Sequence, residues 1–336
     1  MSVIGNSYVD MVDVIKQRGP DGKVTGEIID MMSELTPVFR NGWHAPCNKG
    51  KSHQHNIRVG LSSVAWGRLY KGIAQSKSGF VQVEDTTGFV EGRSTIDRRL
   101  LKLHPGEENQ IKLNESSGFM EAIAQEFETG FFYHDTATAP EKFKGLAARY
   151  NQIQTSGAGR QIIDAGGAGS DNTSVWFVTW GNNFTSLIHP EGSDMGVEHE
   201  DHGTQRVEDA NGNPFYAQED TWTLHVGCSV GDWRYNSRVA NIDVSDLRAG
   251  NVDIYGFMRE AYWRLKSRTI PGGTQAIYMN ADVLEALDRA NTNSDSGDNF
   301  IRLRPGELDG KEIMSFRGMP IYESEAILNT EARVTT

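Results

Sequence analysis

Val175-Trp176-Phe177-Val178-Thr179-Trp180 is apolar at nearly every position, so neither face of a strand built from it can meet water. Such a strand must be central in a sheet and covered on both sides. Just before it lies a glycine-rich run, Ser156-Gly157-Ala158-Gly159, then Asp164-Ala165-Gly166-Gly167-Ala168-Gly169-Ser170-Asp171. A phosphate-binding loop needs a following lysine and a helix. This run has neither, because it opens a strand, and a dinucleotide fingerprint fails for the same reason. A sharply bending backbone explains the glycines.

Material to cover that strand lies on both sides of it in the chain. Phe119, Ile123, Phe127 and Phe131 recur every four residues, which predicts an amphipathic helix over 115–133 with Asn114 or Ser116 as its cap. A shorter helix is expected over 141–151. Downstream, Thr221–Val226 reads as a strand, and Ile254, Phe257, Met258, Ala261, Tyr262 and Leu265 share one face of a helix over 251–267. Gln275–Met279 reads as a strand, followed by a helix capped by Asn280. Lys311–Phe316 and Met319–Tyr322 form a strand pair turned at Arg317-Gly318. Strands and helices mix without regular βαβ repetition, so the fold class is α+β.

Residues 57–91 stand apart. Ile57, Val59 and Leu61 alternate with Arg58, Gly60 and Ser62, and the pattern runs on through Val64, Trp66, Leu69 and Tyr70. After Gln75-Ser76-Lys77-Ser78-Gly79 come Phe80-Val81-Gln82-Val83 and Phe89-Val90. This predicts a long two-stranded hairpin. An isolated hairpin is marginal in water, and nothing nearby in sequence covers this one, so it must dock on something else. Residues 1–56, broken by glycine and proline, read as an arm with one short helix near Glu27–Leu35.

The chain has 336 residues and a formal charge of −12, which argues against a simple nucleic-acid binder. Its 36 glycines favour turns and extended loops over a helical bundle. Charge is segregated. Leu35 to Val83 holds no acidic residue but carries Arg40, Lys49, Lys51, Arg58, Arg68, Lys71 and Lys77. Glu191–Asp220 is acidic, opposed only by Arg206. A basic arm and hairpin reaching onto acidic surfaces of neighbouring copies is one reading, and intramolecular pairing is the other. Cys47 and Cys228 are far apart and suggest no disulfide framework. No signal peptide is expected from Met1–Asp10, and no stretch approaches the length of a membrane span.

Two clusters suit a metal by residue type. Glu198-His199-Glu200-Asp201-His202 lacks the helical register of a His-Glu-x-x-His site, and the flanking glycines make it a loop by expectation. His44, Cys47, His53 and His55 fit no standard zinc spacing. No Gly-x-Ser-x-Gly elbow is present. No cofactor is expected.

The chain resembles the major capsid proteins of tailed bacteriophages, in particular a short-tailed phage branch. Gln275-Ala276-Ile277-Tyr278-Met279-Asn280-Ala281-Asp282-Val283-Leu284-Glu285-Ala286-Leu287 is similar to the strand-to-helix step of that family. Leu308-Asp309-Gly310-Lys311 leading to Phe316-Arg317-Gly318-Met319-Pro320-Ile321-Tyr322 is similar to its closing hairpin. Phe143–Tyr150, Asp164–Gly167 and Ser170–Gly181 carry the branch resemblance, and together the motifs span roughly residues 57–327.

The resemblance implies the tailed-phage major capsid fold, shared with the herpesvirus capsid floor. It implies an N-terminal arm (1–56), an extended hairpin loop (57–92), a peripheral domain with a long spine helix (93–156 and 247–336) and an axial domain (157–246). The implied function is non-catalytic: copies self-assemble, as pentamers and hexamers, into an icosahedral shell enclosing double-stranded DNA without sequence-specific binding. Implied partners are scaffolding and portal proteins and a decorating protein, with no membrane; the implied location is the virion, assembled in the host cytoplasm. The expected inter-subunit contacts are Arg58, Trp66, Arg68, Tyr70, Lys71, Lys77, Phe80, Phe89, Glu198, Glu200 and Asp201. The alternatives are a metal-dependent hydrolase using Glu198–His202 and a carbohydrate-binding module using Trp222 and Trp233.

Overall fold

A computed structural model describes residues 13, 14, 17, 36–193, 195–208, 211–268, 272–293, 304–308 and 311–336. The expected helix at Glu27–Leu35 lies outside them, as do Asp194 and Asp209 of the acidic segment. In chain order the elements are α1 (Pro37–Asn41), β1 (His44–Pro46), β2 (Ser52–Gly60), β3 (Gly79–Thr86), β4 (Gly88–Asp97), α2 (Arg98–Leu103), α3 (Glu108–Tyr133) and α4 (Leu146–Arg149). Then follow β5 (Ile162–Asp164), β6 (Asn172–Trp180), β7 (Thr185–His189), β8 (Val197–Glu208), β9 (Pro214–Val230), β10 (Ser237–Asp243), α5 (Val244–Ala249) and α6 (Ile254–Arg264). The chain closes with β11 (Thr274–Met279), α7 (Ala281–Asn293), β12 (Arg304–Leu308), β13 (Lys311–Phe316) and β14 (Met319–Glu323).

Strand β6 is buried at all nine positions, as its composition requires. It pairs antiparallel with β10 on one side and β11 on the other. Its side chains alternate between two cores. Trp176, Val178 and Trp180 face one that includes Ile123, Phe127, Phe131 and Phe132 of α3. Val175 and Phe177 face the other, built with Leu247 of α5, Met258 and Ala261 of α6, and Val283 and Leu287 of α7. Helices therefore cover both faces of this part of the sheet.

The sheet continues past β6 through a single parallel pair, Trp180 with Thr185 of β7. Beyond it β9 runs for 17 residues. It pairs with β7, then with β4 on one edge and β8 on the other. The long helix α3, about 39 Å at 1.5 Å per residue, packs on β4 and β9. Gly92 of β4 makes the close approach possible: a Cβ there would lie 2.7 Å from the Phe119 ring. Phe119 in turn stacks on Trp222 of β9 with ring centroids 4.9 Å apart.

Several expectations need correction. The helix expected from 115 begins at Glu108, so Asn114 and Ser116 are not caps; Ser116 Oγ instead donates to the Leu113 carbonyl within the helix. The helix expected over 141–151 is one turn, α4. Helix α6 shares a core with β6 and β10, and strands β11 and β14 lie in the same sheet. Local signals fare better. Asn280 Oδ1 accepts the Val283 N–H at 3.1 Å and caps α7. Arg317 and Gly318 both take positive φ, 52° and 84°, in the tight turn between β13 and β14.

Two buried charge networks tie the layers together. Arg238 of β10 pairs with Glu331 at 2.8 Å, both nearly inaccessible. Arg238 also donates to Ser174 Oγ (3.0 Å) and the Tyr150 carbonyl (2.8 Å), and its guanidinium lies 4.7 Å from the centre of the Trp176 ring. Glu331 further accepts the hydroxyls of Tyr133, at 2.5 Å, and Ser174. The second network is Glu128 of α3, which accepts the Val38 N–H at 3.1 Å and the Ser324 hydroxyl at 2.7 Å. Both cysteines are free and buried, and burial pushes the Cys228 thiol up to about 12.

Arg238→Ala leaves Glu331 buried without its counter-charge and should destabilise the chain by about 3–5 kcal/mol, read as a lower urea midpoint. Burial raises the Glu128 carboxyl to about 7 despite its two hydrogen bonds. Between the unfolded value, near 4.5, and 7 the folded state holds a proton that the unfolded state has lost. Stability attributable to this group is therefore greatest below the unfolded value and falls as pH rises to 7, by on the order of 3 kcal/mol in all. Glu128→Gln should flatten that decline in pH-dependent urea titrations.

Candidate functional site

Strands β2 and β3 form a two-stranded sheet separate from the main one. Their register runs from Ser52 opposite Thr86 to Arg58 opposite Phe80, with an irregularity before Gly60 meets Gly79. The hairpin thus begins five residues earlier than expected and its second strand ends at Thr86. Phe89 lies on β4, in the body, because Gly88–Asp97 pairs residue by residue with β9.

Residues 61–78 extend beyond the paired strands. Regular pairing stops at Gly60, although the expected strand ran on to Tyr70, because no further sheet is there to pair with. Inside the tip are an Arg68–Lys71 bridge and two contacts, Ser62 Oγ with Ser78 Oγ at 3.1 Å and Ser76 Oγ donating to the Ser63 carbonyl at 2.8 Å. Trp66 and Tyr70 are fully exposed, and Val64, Leu69 and Leu61 nearly so. Large contiguous apolar patches are rare on a lone soluble protein and mark interaction sites. Arg68, Lys71 and Lys77 lie in the same segment and are exposed, and Arg58 stacks on Phe80 at 5.2 Å.

The hairpin's root is firm. Asp85 of β3 is buried and accepts the Arg149 guanidinium at 2.8 Å and the Val230 N–H at 3.3 Å. Arg149 also donates to the Cys228 carbonyl at 2.8 Å. His55 Nδ1 stands 4.0 Å from Asp85, and burial holds its pKa below the usual histidine range. Ser52 Oγ donates to Glu84 at 2.6 Å; that bond, with Lys49, keeps the Glu84 carboxyl low.

The acidic segment is the strand β8, not a loop. It pairs with β9 from Val197 opposite Leu224 to Glu208 opposite Pro214, with a bulge between Asp201 and Gly203. Its other edge pairs with nothing among the described residues, and most of its side chains are polar and exposed, so the pattern lacks strand alternation. Glu198 and Glu200 are exposed. Asp201 is held low chiefly by the Gly203 N–H, and Lys112 of α3 lies 3.5 Å from it, so part of this charge is met within the chain.

The histidines of this segment have partners. His199 Nε2 lies 3.1 Å from Asp220 and its ring stacks 5.3 Å from Trp222; His202 Nε2 lies 3.0 Å from Thr221 Oγ1. Trp222 is buried, which removes it from the sugar-binding surface expected of it, and Trp233 is half-buried. Among the described residues no three His, Cys, Asp or Glu side chains are grouped to hold a metal, at Glu198–His202 or at His44, Cys47, His53 and His55. No helix among them is long and apolar enough to cross a membrane. Adding EDTA should leave the melting temperature unchanged, and His199→Ala should not alter metal content by elemental analysis.

A family model described as major capsid protein GP7 matches residues 19–335. A solved structure of bacteriophage Epsilon15, derived from cryo-EM and modeling, is similar over the whole of both chains, with TM-score 0.79 and 27% identity. The capsid of bacteriophage JBD30 is similar over 88% of this chain and 92% of its own, with TM-score 0.50 and 8% identity, a likeness of fold alone. No curated protein matches the chain.

Proposed function

This chain belongs to the major capsid protein GP7 family, and from that premise we propose how it joins its neighbours in the shell. Copies of it assemble into the icosahedral head of a tailed phage, and it is a structural component of the virion. The hydrolase alternative has no family or site behind it.

The joining element is the hairpin of β2 and β3. The observation that carries this is the full exposure of Trp66 and Tyr70 on a tip that has no cover of its own. Burying each such ring against a neighbour contributes roughly 1.5–3 kcal/mol. Arg58, Arg68, Lys71 and Lys77 then steer the tip toward acidic surface, and Glu198, Glu200 and Asp201 on β8 supply such a surface. Phe80, on the hairpin, and Phe89, on β4, extend the apolar contact. In this reading the peripheral domain is residues 93–156 and 247–336, with α3 as its spine, and the axial domain is residues 157–246. Residues 1–56 are the arm. Pentamers and hexamers form the shell, a separate scaffolding protein and a portal guide it, and a decorating protein binds outside. Assembly takes place in the host cytoplasm, and the DNA is held by enclosure.

Trp66→Ala/Tyr70→Ala should leave the subunit's own stability within about 0.5 kcal/mol, since neither ring is buried in it. The same variant should yield no closed particles in negative-stain microscopy. Parent-like particles from this variant would overturn the hairpin assignment. Raising salt from 0.1 to 1 M shortens screening from about 10 to 3 Å and should lower particle yield in sedimentation velocity.

A further inference from the structure

Helix α6 and strands β5 and β10 run side by side, with α6 antiparallel to the strands. The C-terminal end of α6 meets the start of β5: Arg264 Nη1 donates to the Arg160 carbonyl at 2.5 Å. It also meets the segment before β10, where the Lys266 N–H donates to the Arg234 carbonyl at 3.0 Å. Cations gather here in an otherwise acidic protein. Arg234 and Lys266 share Asp232, and Arg264 takes Glu260. Arg160, Arg268 and Arg317 have no carboxylate within salt-bridge distance among the described residues. The Arg268 guanidinium lies 4.3 Å from the centre of the Trp263 ring, and Arg317 lies 5.1 Å from that of Tyr262. Trp263 remains 58% exposed beside a cleft of about 420 Å³ that Trp233 also lines. Trp, Tyr and Arg are the residues that dominate binding energy at protein interfaces.

The opposite end of the same three elements is acidic. Strand β5 ends at Asp164, β10 at Asp243, and α6 starts after its cap, Asp253. Asp171, just before β6, joins them by accepting the Ser245 hydroxyl at 2.5 Å, and Asp246 lies in α5. None of the five has a cationic side chain within salt-bridge distance among the described residues. The two ends are separated by the length of β10, about 23 Å. This part of the molecule is therefore polarised, with cations and an exposed indole at one end and, at the other, carboxylates that take N–H and O–H donors from their own loops and helix starts but meet no cation among the described residues.

We propose that the cation–aromatic end of one copy meets the acidic end of the next, as a head-to-tail contact distinct from the hairpin. The inference rests on the head-shell reading above. Two different surfaces of one chain that fit each other make a heterologous contact, and such contacts close into rings when the rotation per copy permits. Charge complementarity favours a second copy as the occupant over a polyanion. A phosphate backbone would use the basic end alone and leave the acidic end without a role.

The test is a charge-swap series on the full chain, scored by particle yield, with the melting temperature of unassembled subunits as the folding control. Arg160→Glu/Arg268→Glu should lower particle yield at least tenfold. Asp246→Lys should do the same. A chain carrying all three changes should recover most of the yield, because the opposed charges are again complementary. Equal melting temperatures would locate the loss in assembly. Parent-like yield from Arg160→Glu/Arg268→Glu, or a triple variant no better than either parent variant, would overturn the contact. So would normal yield with loss of packaged DNA, which would assign the patch to nucleic acid. Failure of the unaltered chain to form shells with a co-expressed scaffolding protein would overturn the head-shell reading itself.

Discussion

The need to cover β6 on both faces organises this protein. A strand that alternates Trp176, Val178 and Trp180 with Val175 and Phe177 has no side to offer to water. One face recruits the long helix α3 and the other recruits α5, α6 and α7. With helices on both sides, a charged side chain that enters is costly unless it is matched. Arg238 satisfies that condition by dividing its guanidinium among Glu331, Ser174 and the Tyr150 carbonyl, over the face of Trp176. Both the aromatic surface and the charge network draw α3, β6, β10 and the final segment into one unit.

The hairpin obeys the opposite rule. Its root is fastened through Asp85, Arg149 and Val230, so its direction is set by the body. Among the described residues its tip is held by hydroxyl contacts and one short bridge. A firm root with an uncovered apolar tip means that the tip's rings contribute little to the packing of the subunit itself. The acidic edge strand β8 is likewise fastened along one side only, and its charges discourage uncontrolled pairing of its open edge.

What could be read in advance follows from the range of each interaction. Strand β6, the stripe of phenylalanines in α3, the Asn280 cap and the Arg317-Gly318 turn are local signals, and all appear in the structure. Strand β8 reads as a loop because a mostly exposed, polar edge strand has no alternation to detect, and the glycines around it mimic a loop. Phe89 reads as part of the hairpin because one residue, Thr87, separates β3 from β4, and nothing in the pattern marks the change of sheet. Trp222 is covered by Phe119 and His199, neither of which is near it in sequence. The Arg238–Glu331 pair and the gathering of Arg160, Trp263, Arg268 and Arg317 involve residues far apart in sequence. No periodicity connects them. The exposure of Trp66, Tyr70 and Phe80 is legible because their lack of cover is itself a sequence property.

Glu331 has a consequence for how the chain is made. It is translated after β6, β10 and α3, yet it supplies the negative charge that lets Arg238 sit among them. A chain broken off before residue 331 keeps the hairpin and most of the apolar material but has an unmatched cation at its centre. Such a fragment is the kind that proteases remove. In a structure that repeats one subunit many times, a single truncated copy leaves a hole, and the placement of Glu331 makes completeness of the polypeptide a condition for the fold that enters the wall.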